Sequence, residues 1–316
     1  MYKVAITTYP FGFPNDKPIK ILSGLDVSYN QKKRKYTREE LIEVLKQRQP
    51  DIIIAGTEDY KNTEILDLVP NLQLISRVGI GLDGLDLEEC RRRGITVAYT
   101  PDAPSSAVAE LALGQMFNAL RHIRDVDNDI RIGKWNRYIG REIRSCNIGI
   151  IGMGRIGRLV ASKLIGLKPR RIFINDIIPE RVVGIDRCEA GTKSQILCEA
   201  DIISIHIPYT AANHWFINEL DFGLMKKDAI IINMSRGNII NEDALYNWLT
   251  LNTEAFGIID TFVNEPYKGK LRDLANTSLT PHLASCTLKS RLAMEAGAAE
   301  AVLDFIQKKP LANQVI

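Results

Sequence analysis

The run Ile148-Gly149-Ile150-Ile151 passes directly into Gly152-Met153-Gly154-Arg155-Ile156-Gly157, and a helix-compatible segment continues to about Leu167. An apolar run of this length suits a strand buried in a parallel sheet. In the G-x-G-x-x-G pattern that follows, Gly152 allows a tight turn, Gly154 lets the backbone approach a pyrophosphate, and Gly157 lets helix and strand pack closely. The phosphates would sit at the helix N-terminus, where unpaired N–H groups and the helix dipole favour an anion. Glycine clusters alone are common in turns, so the context decides. A second apolar run, Ile172-Phe173-Ile174, ends in Asn175-Asp176, and Asp176 lies 19 residues beyond Gly157. That is where an acid accepting hydrogen bonds from an adenosine ribose belongs. A carboxylate there repels a 2′-phosphate, so the pattern points to NAD rather than NADP; Arg170 and Arg171 ahead of the strand do not overturn this.

A chain of 316 residues has room for about two domains, each able to bury a core. The formal net charge of +3 is too small to argue for nucleic acid or a membrane surface as partner. The basic run Lys32–Lys35 reads as a solvated loop. Five cysteines, odd in number and without a C-x-x-C pair, fit free thiols in a reducing compartment. The N-terminus reads as a first strand rather than a signal peptide, and no stretch of about 18 apolar residues occurs, so a cytoplasmic protein is expected.

The first hundred residues alternate strands and helices. Strands are expected at Val4–Thr7, Ile19–Leu22, Ile52–Ala55, Leu72–Ser76 and Ile95–Tyr99. A capping box, Thr37-Arg38-Glu39-Glu40, opens one helix, and another spans Leu87–Arg93 with Gly94 as its stop. This alternation predicts a small parallel-sheet domain. The breaker cluster Thr100–Pro104 marks a boundary. Beyond it a long apolar helix runs from Pro104 to about Ile123, with Leu113, Met116, Phe117 and Leu120 as a stripe facing the core or another subunit. The next strands are expected at Ile202–Ile207, Ala229–Ile232, Phe256–Ile259 and Ser278–Thr280, with a helix opened by Asn241. The last segment, Thr287 to about Gln307, carries Leu288, Leu292, Ala296, Ala299, Leu303 and Ile306 on one face and is expected to return to the first domain. No regulatory extension is expected.

Ligands of open α/β sheets bind outside the carboxyl ends of the strands. There the chain places Arg236, Glu265 and His282. Arg236 offers a permanently charged planar fork for a carboxylate and a neighbouring carbonyl. His282 can give or take a proton near neutral pH, and Glu265 behind the imidazole would stabilise its charged form. Singly, each of the three suits a surface charge or a structural loop. Together, at successive strand ends beside a dinucleotide fingerprint, they form a catalytic set. No metal site is expected.

With these residues the chain resembles the D-isomer-specific 2-hydroxyacid dehydrogenase family from about Asp51 to Ile306. The matching segments are Arg77–Asp86, Gly152–Gly157, His206–Thr210, Asn233–Gly237, Asp260–Pro266 and Thr280–Ala284. The resemblance implies that Arg236, Glu265 and His282 are the catalytic trio. It implies a substrate carboxylate held by backbone N–H groups of the Gly79-Ile80-Gly81 loop. Arg155 and Ile156 would hold the pyrophosphate and Asp176 the ribose. His206 and Pro208 would flank the adenine, Asp260 would fix the nicotinamide carboxamide, and Met234 and Ser235 would join the cofactor site. The implied fold is α/β with two parallel-sheet domains. Residues 102–285 would form a Rossmann NAD-binding domain, and residues 1–101 with 286–316 a smaller, flavodoxin-like substrate domain. The chain departs from the family pattern at Asp102-Ala103-Pro104, where many members carry G-A-N. It keeps Glu265 where formate-dehydrogenase-like relatives carry Gln.

The expected function is hydride transfer between NAD and the C2 carbon of a D-2-hydroxy or 2-keto acid. Arg77 and Arg137 resemble basic positions of phosphoglycerate dehydrogenases, which favours a phosphorylated substrate such as 3-phosphoglycerate or a small 2-hydroxy acid. Salt bridges would account for the same two arginines equally well. Two alternatives share the trio: an NAD(H)-sensing corepressor-like protein and a phosphite dehydrogenase. A homodimer formed through the Pro104–Ile123 helix is what the family suggests.

Overall fold

Strand–helix alternation builds two compact units in this computed structural model, which describes residues 1–13, 15–61 and 63–316. One unit comprises Met1–Pro104 with Cys286–Ile316, the other Ser105–Ser285. The first holds strands β1 (Lys3–Ile6), β2 (Asp26–Tyr29), β3 (Ile52–Ala55), β4 (Leu74–Arg77) and β5 (Thr96–Tyr99). They form an all-parallel sheet in the order β2-β1-β3-β4-β5, the flavodoxin-like order. Ile52, Ile53 and Ile54 are all fully buried, as the central strand of a sheet covered on both faces requires. Each such side chain contributes about 2 kcal/mol relative to exposure.

The second unit holds β6 (Asn147–Ile151), β7 (Arg171–Asn175), β8 (Glu189–Ala190), β9 (Ile202–Ile205), β10 (Ile230–Asn233), β11 (Phe256–Ile259) and β12 (Thr277–Leu279). Their order, β12-β11-β10-β9-β6-β7-β8, is a parallel Rossmann sheet with one further strand. Two apolar clusters fill its opposite faces. One is built around Ile148, Ile150 and Ile232, the other around Ile151, Ile203 and Ile231.

The structure corrects several expectations. Ile19–Leu22 belongs to no strand; the helix Lys17–Ile21 stands there, begun by Pro18, whose fixed φ suits a first helical turn. The strand of that region is β2, whose sequence Asp-Val-Ser-Tyr carries no apolar run because it lies at the sheet edge. The two-residue edge strand β8 had no apolar signal either. The long helix after Pro104 ends at Leu120. His122, with φ of 52°, breaks it, and a second helix occupies Ile123–Arg131. The core face of the long helix is Ala109, Ala112, Met116 and Ala119, whereas Phe117 points outward. The terminal helix, Leu288–Ile306, packs on β4 and β5 through Met294, Ala298, Ala299 and Val302, while Leu288 is exposed. The expected stripes hold in part: Met116, Leu120, Ala296 and Ala299 are buried and Leu113 and Ile306 pack against the core, while Phe117 and Leu288 face outward and small residues complete each core face.

Candidate active site

At the carboxyl end of β6 the fingerprint has the geometry its sequence demands. Gly152 has φ of +96°, and a Cβ on it would stand 2.5 Å from the His206 carbonyl oxygen. A Cβ on Gly157 would stand 1.9 Å from the Gly152 oxygen, so only glycine lets the helix Arg155–Leu167 start there. At Gly154 nothing lies within 4 Å. Among the described residues the N–H groups of Gly154 and Ile156 donate to no protein acceptor. Open space above unspent donors at a helix N-terminus fits a pyrophosphate.

Asp176, at the end of β7, is nearly buried. Its Oδ2 accepts from Met153 N–H at 2.7 Å and its Oδ1 from Ile178 N–H at 2.9 Å. It therefore ties the glycine loop to β7. Arg181 Nη1 lies 3.6 Å from the same carboxylate, a neighbour the fingerprint did not disclose. His206, after β9, is held by Ser204 Oγ at 2.9 Å from Nε2, and burial pushes its pKa down to about 4, so the ring is neutral. Pro208 is exposed and Ser235 half-buried. Met234 is core, only 5% exposed, so it offers a cofactor its backbone rather than its side chain.

Strands β10, β11 and β12 are sheet neighbours, and the loops after them carry Arg236, Glu265 and His282 in turn. Asn233 shapes the first loop: its Oδ1 accepts from Ser235 N–H at 3.0 Å and its Nδ2 donates to the Arg236 carbonyl at 2.8 Å. His282 Nδ1 lies 3.0 Å from Glu265 Oε2 and 3.1 Å from Oε1, and Oε1 also accepts from Phe262 N–H at 3.1 Å. A carboxylate at Nδ1 favours the proton on that nitrogen and leaves Nε2 for exchange.

Asp260, expected at the nicotinamide, has a structural part as well. It is fully buried, and its carboxylate is engaged within the protein: Oδ1 by Thr280 Oγ1 at 2.5 Å and Leu283 N–H at 2.9 Å, Oδ2 by Ala284 N–H at 3.0 Å. Its carbonyl accepts from His282 N–H at 2.8 Å. Asp260 thus clamps the loop that carries His282. Thr280 and Asn233 stand in segments that match the family, but their loop-holding role was not legible because neither residue type signals chemistry.

In the first unit the Gly79–Gly81 loop follows β4. Gly79, at φ of +132°, donates its N–H to Thr100 Oγ1 at 2.8 Å. Among the described residues, Ile80 and Gly81 N–H donate to no protein acceptor. Arg77 lies at the end of β4. It is 9% exposed, and it donates from Nε to the Gly81 carbonyl at 2.9 Å and from Nη1 to the Val78 carbonyl at 3.0 Å. Its guanidinium is built into the loop. Arg137 is exposed, in the irregular segment after the helix Ile123–Arg131. Among the described residues, no group of His, Cys, Asp and Glu could hold a metal ion.

A dinucleotide fingerprint and an Arg–Glu–His set on successive Rossmann strands define an NAD-dependent oxidoreductase of 2-hydroxy acids. Residues 113–284 match the family model described as D-isomer specific 2-hydroxyacid dehydrogenase, NAD binding domain. A glyoxylate reductase of Pyrococcus furiosus is 30% identical over 290 residues, 89% of this chain and 86% of that protein. A D-3-phosphoglycerate dehydrogenase of Methanocaldococcus jannaschii is 33% identical over 89% of this chain but only 54% of its own length. The TT0316 protein of Thermus thermophilus has the same fold, with a TM-score of 0.88 at 25% identity over 99% of this chain and all of that one. The chain belongs to the D-isomer-specific 2-hydroxyacid dehydrogenase family and uses NAD.

Proposed function

We propose that the protein reduces short, unphosphorylated 2-keto acids, such as glyoxylate and hydroxypyruvate, to their 2-hydroxy acids. The observation that carries this substrate class is the burial of Arg77, which removes one of the two cations that favoured a phosphate. The glyoxylate reductase relative supports the same choice.

Bound NADH supplies the hydride. In the first unit the N–H groups of Ile80 and Gly81 are donors suited to a carboxylate; in the second, Arg236 polarises the keto oxygen and stabilises the negative charge developing on it. His282 donates a proton from Nε2 to that oxygen, while Glu265 accepts from Nδ1–H and fixes the ring's orientation. In oxidation, neutral His282 takes the proton back.

A homodimer in the cytoplasm belongs to the same proposal. Ile123, Ile130, Ile132, Trp135 and Ile139 are all at least half exposed on one helix and the arm that follows it, an apolar surface suited to a second copy. Light scattering that finds a monomer at all concentrations would remove the dimer. The substrate proposal is tested by NADH oxidation against glyoxylate, hydroxypyruvate, pyruvate and 3-phosphohydroxypyruvate. A preference for the phosphorylated acid would overturn it.

A further inference from the structure

A fully buried carboxylate sits on the terminal helix of the first unit. Glu295 is 0% exposed, and burial pushes its carboxyl up. Its Oε2 accepts from Gly12 N–H at 2.7 Å and its Oε1 from Arg291 Nη2 at 2.6 Å. Arg291 Nη2 in turn donates to the Pro10 carbonyl at 2.6 Å. This ion pair pins the loop that follows β1. Inside the loop Phe11 packs on the core, and Gly12 takes φ of +79° against Ile19.

Burying a charged pair is costly and is weak evidence of added stability; the bonds this pair makes hold the loop in one conformation. Here it fixes apolar side chains in water. Among the described residues, the exposed large apolar side chains of this unit other than Met1 are Tyr9, Phe13 and Leu288. Two lie on the pinned loop, and Leu288 lies one helical turn before Arg291. The loop stands at the carboxyl edge of the sheet, beside the β1/β3 position where the strand order reverses, which is where such sheets bind ligands. Met294, the neighbour of Glu295, reaches the carboxylate loop: a Cβ on Gly79 would lie 3.9 Å from its Sδ. One turn of helix thus abuts both loops.

We propose that Tyr9, Phe13 and Leu288 form the wall that meets the substrate's side chain, with Glu295 and Arg291 as the positioning residues that hold it. The inference rests on the 2-keto acid reading and extends it from glyoxylate and hydroxypyruvate to acids whose substituent beyond the keto carbon is larger, uncharged and apolar. Glyoxylate has no side chain and therefore serves as an internal control.

The experiment compares kcat/KM for 2-ketoisocaproate and glyoxylate in wild type, Phe13→Ala, Glu295→Ala and Glu295→Gln. A methylene in an apolar pocket changes kcat/KM by roughly tenfold or more. Phe13→Ala should therefore lower the 2-ketoisocaproate value at least about tenfold more than the glyoxylate value, with KM for NADH unchanged. Glu295→Ala should show the same selective loss, and Glu295→Gln, whose amide oxygen still accepts from Gly12 N–H, should recover part of it. Phe13 is exposed, so its variant keeps the test open should Glu295→Ala fail to fold. Equal losses on both acids, no loss on either, or wild type that reduces glyoxylate but not 2-ketoisocaproate would overturn the wall alone. Wild type that reduces neither acid would overturn the 2-keto acid reading with it.

Discussion

Glu265 presents both carboxylate oxygens to His282 Nδ1, at 3.0 and 3.1 Å. The contact fixes the ring's tautomer and supplies a counter-charge, and both depend on the carboxylate. Glu265→Gln keeps the shape but removes the charge. Turnover should fall by about 10²-fold, within the range of general acid–base catalysis, while NADH binding changes little. Steady-state rates and NADH fluorescence titration check this.

Gly157→Ala is expected to remove dinucleotide binding through packing alone. Its Cβ would stand 1.9 Å from the Gly152 carbonyl oxygen, so the glycine loop must move. Overpacking of this kind costs about 1–3 kcal/mol. Thermal melting should show a lower midpoint, and added NADH should no longer raise it.

The fingerprint was readable because its conditions are local. Turn, close approach and ribose acid are all fixed by spacing along one strand–loop–helix unit. Arg236, Glu265 and His282 were legible as a candidate set for a similar reason, since each follows an apolar strand by a few positions. The part played by Arg77 stayed open in the sequence because position along the chain does not settle which way a side chain turns; its guanidinium donates to the Gly81 and Val78 carbonyls. The edge strands β2 and β8 were missed because strands with little to bury leave no apolar run. The helix break at His122 carries no glycine or proline, so the long apolar helix read as continuous to Ile123.

Acid should destabilise the second unit through His206. Its pKa falls from about 6.5 in the unfolded chain to about 4 in the fold because the buried ring resists a charge. Between these values the unfolded chain binds the extra proton, so stability is lost as pH falls from 6.5 towards 4, by up to about 3 kcal/mol. Denaturant unfolding at about pH 7 and about pH 4.5 should show the loss, and His206→Gln should shrink it.

Arg77→Lys should act on substrate binding rather than on chemistry. A lysine cannot reproduce donation to both the Gly81 and Val78 carbonyls, so the Ile80 and Gly81 N–H groups lose their aim. KM for the keto acid should rise about tenfold with kcat nearly unchanged, the pattern of lost uniform binding. A kcat-only effect would argue against this positioning role.

Proton transfer by His282 is tested most directly by hydroxypyruvate-dependent NADH oxidation in wild type and His282→Ala, with the NADH dissociation constant measured on the same preparations. A proton donor at this position requires turnover to fall by about 10²-fold or more, with NADH bound equally well by both proteins. Undiminished turnover by His282→Ala would contradict that role.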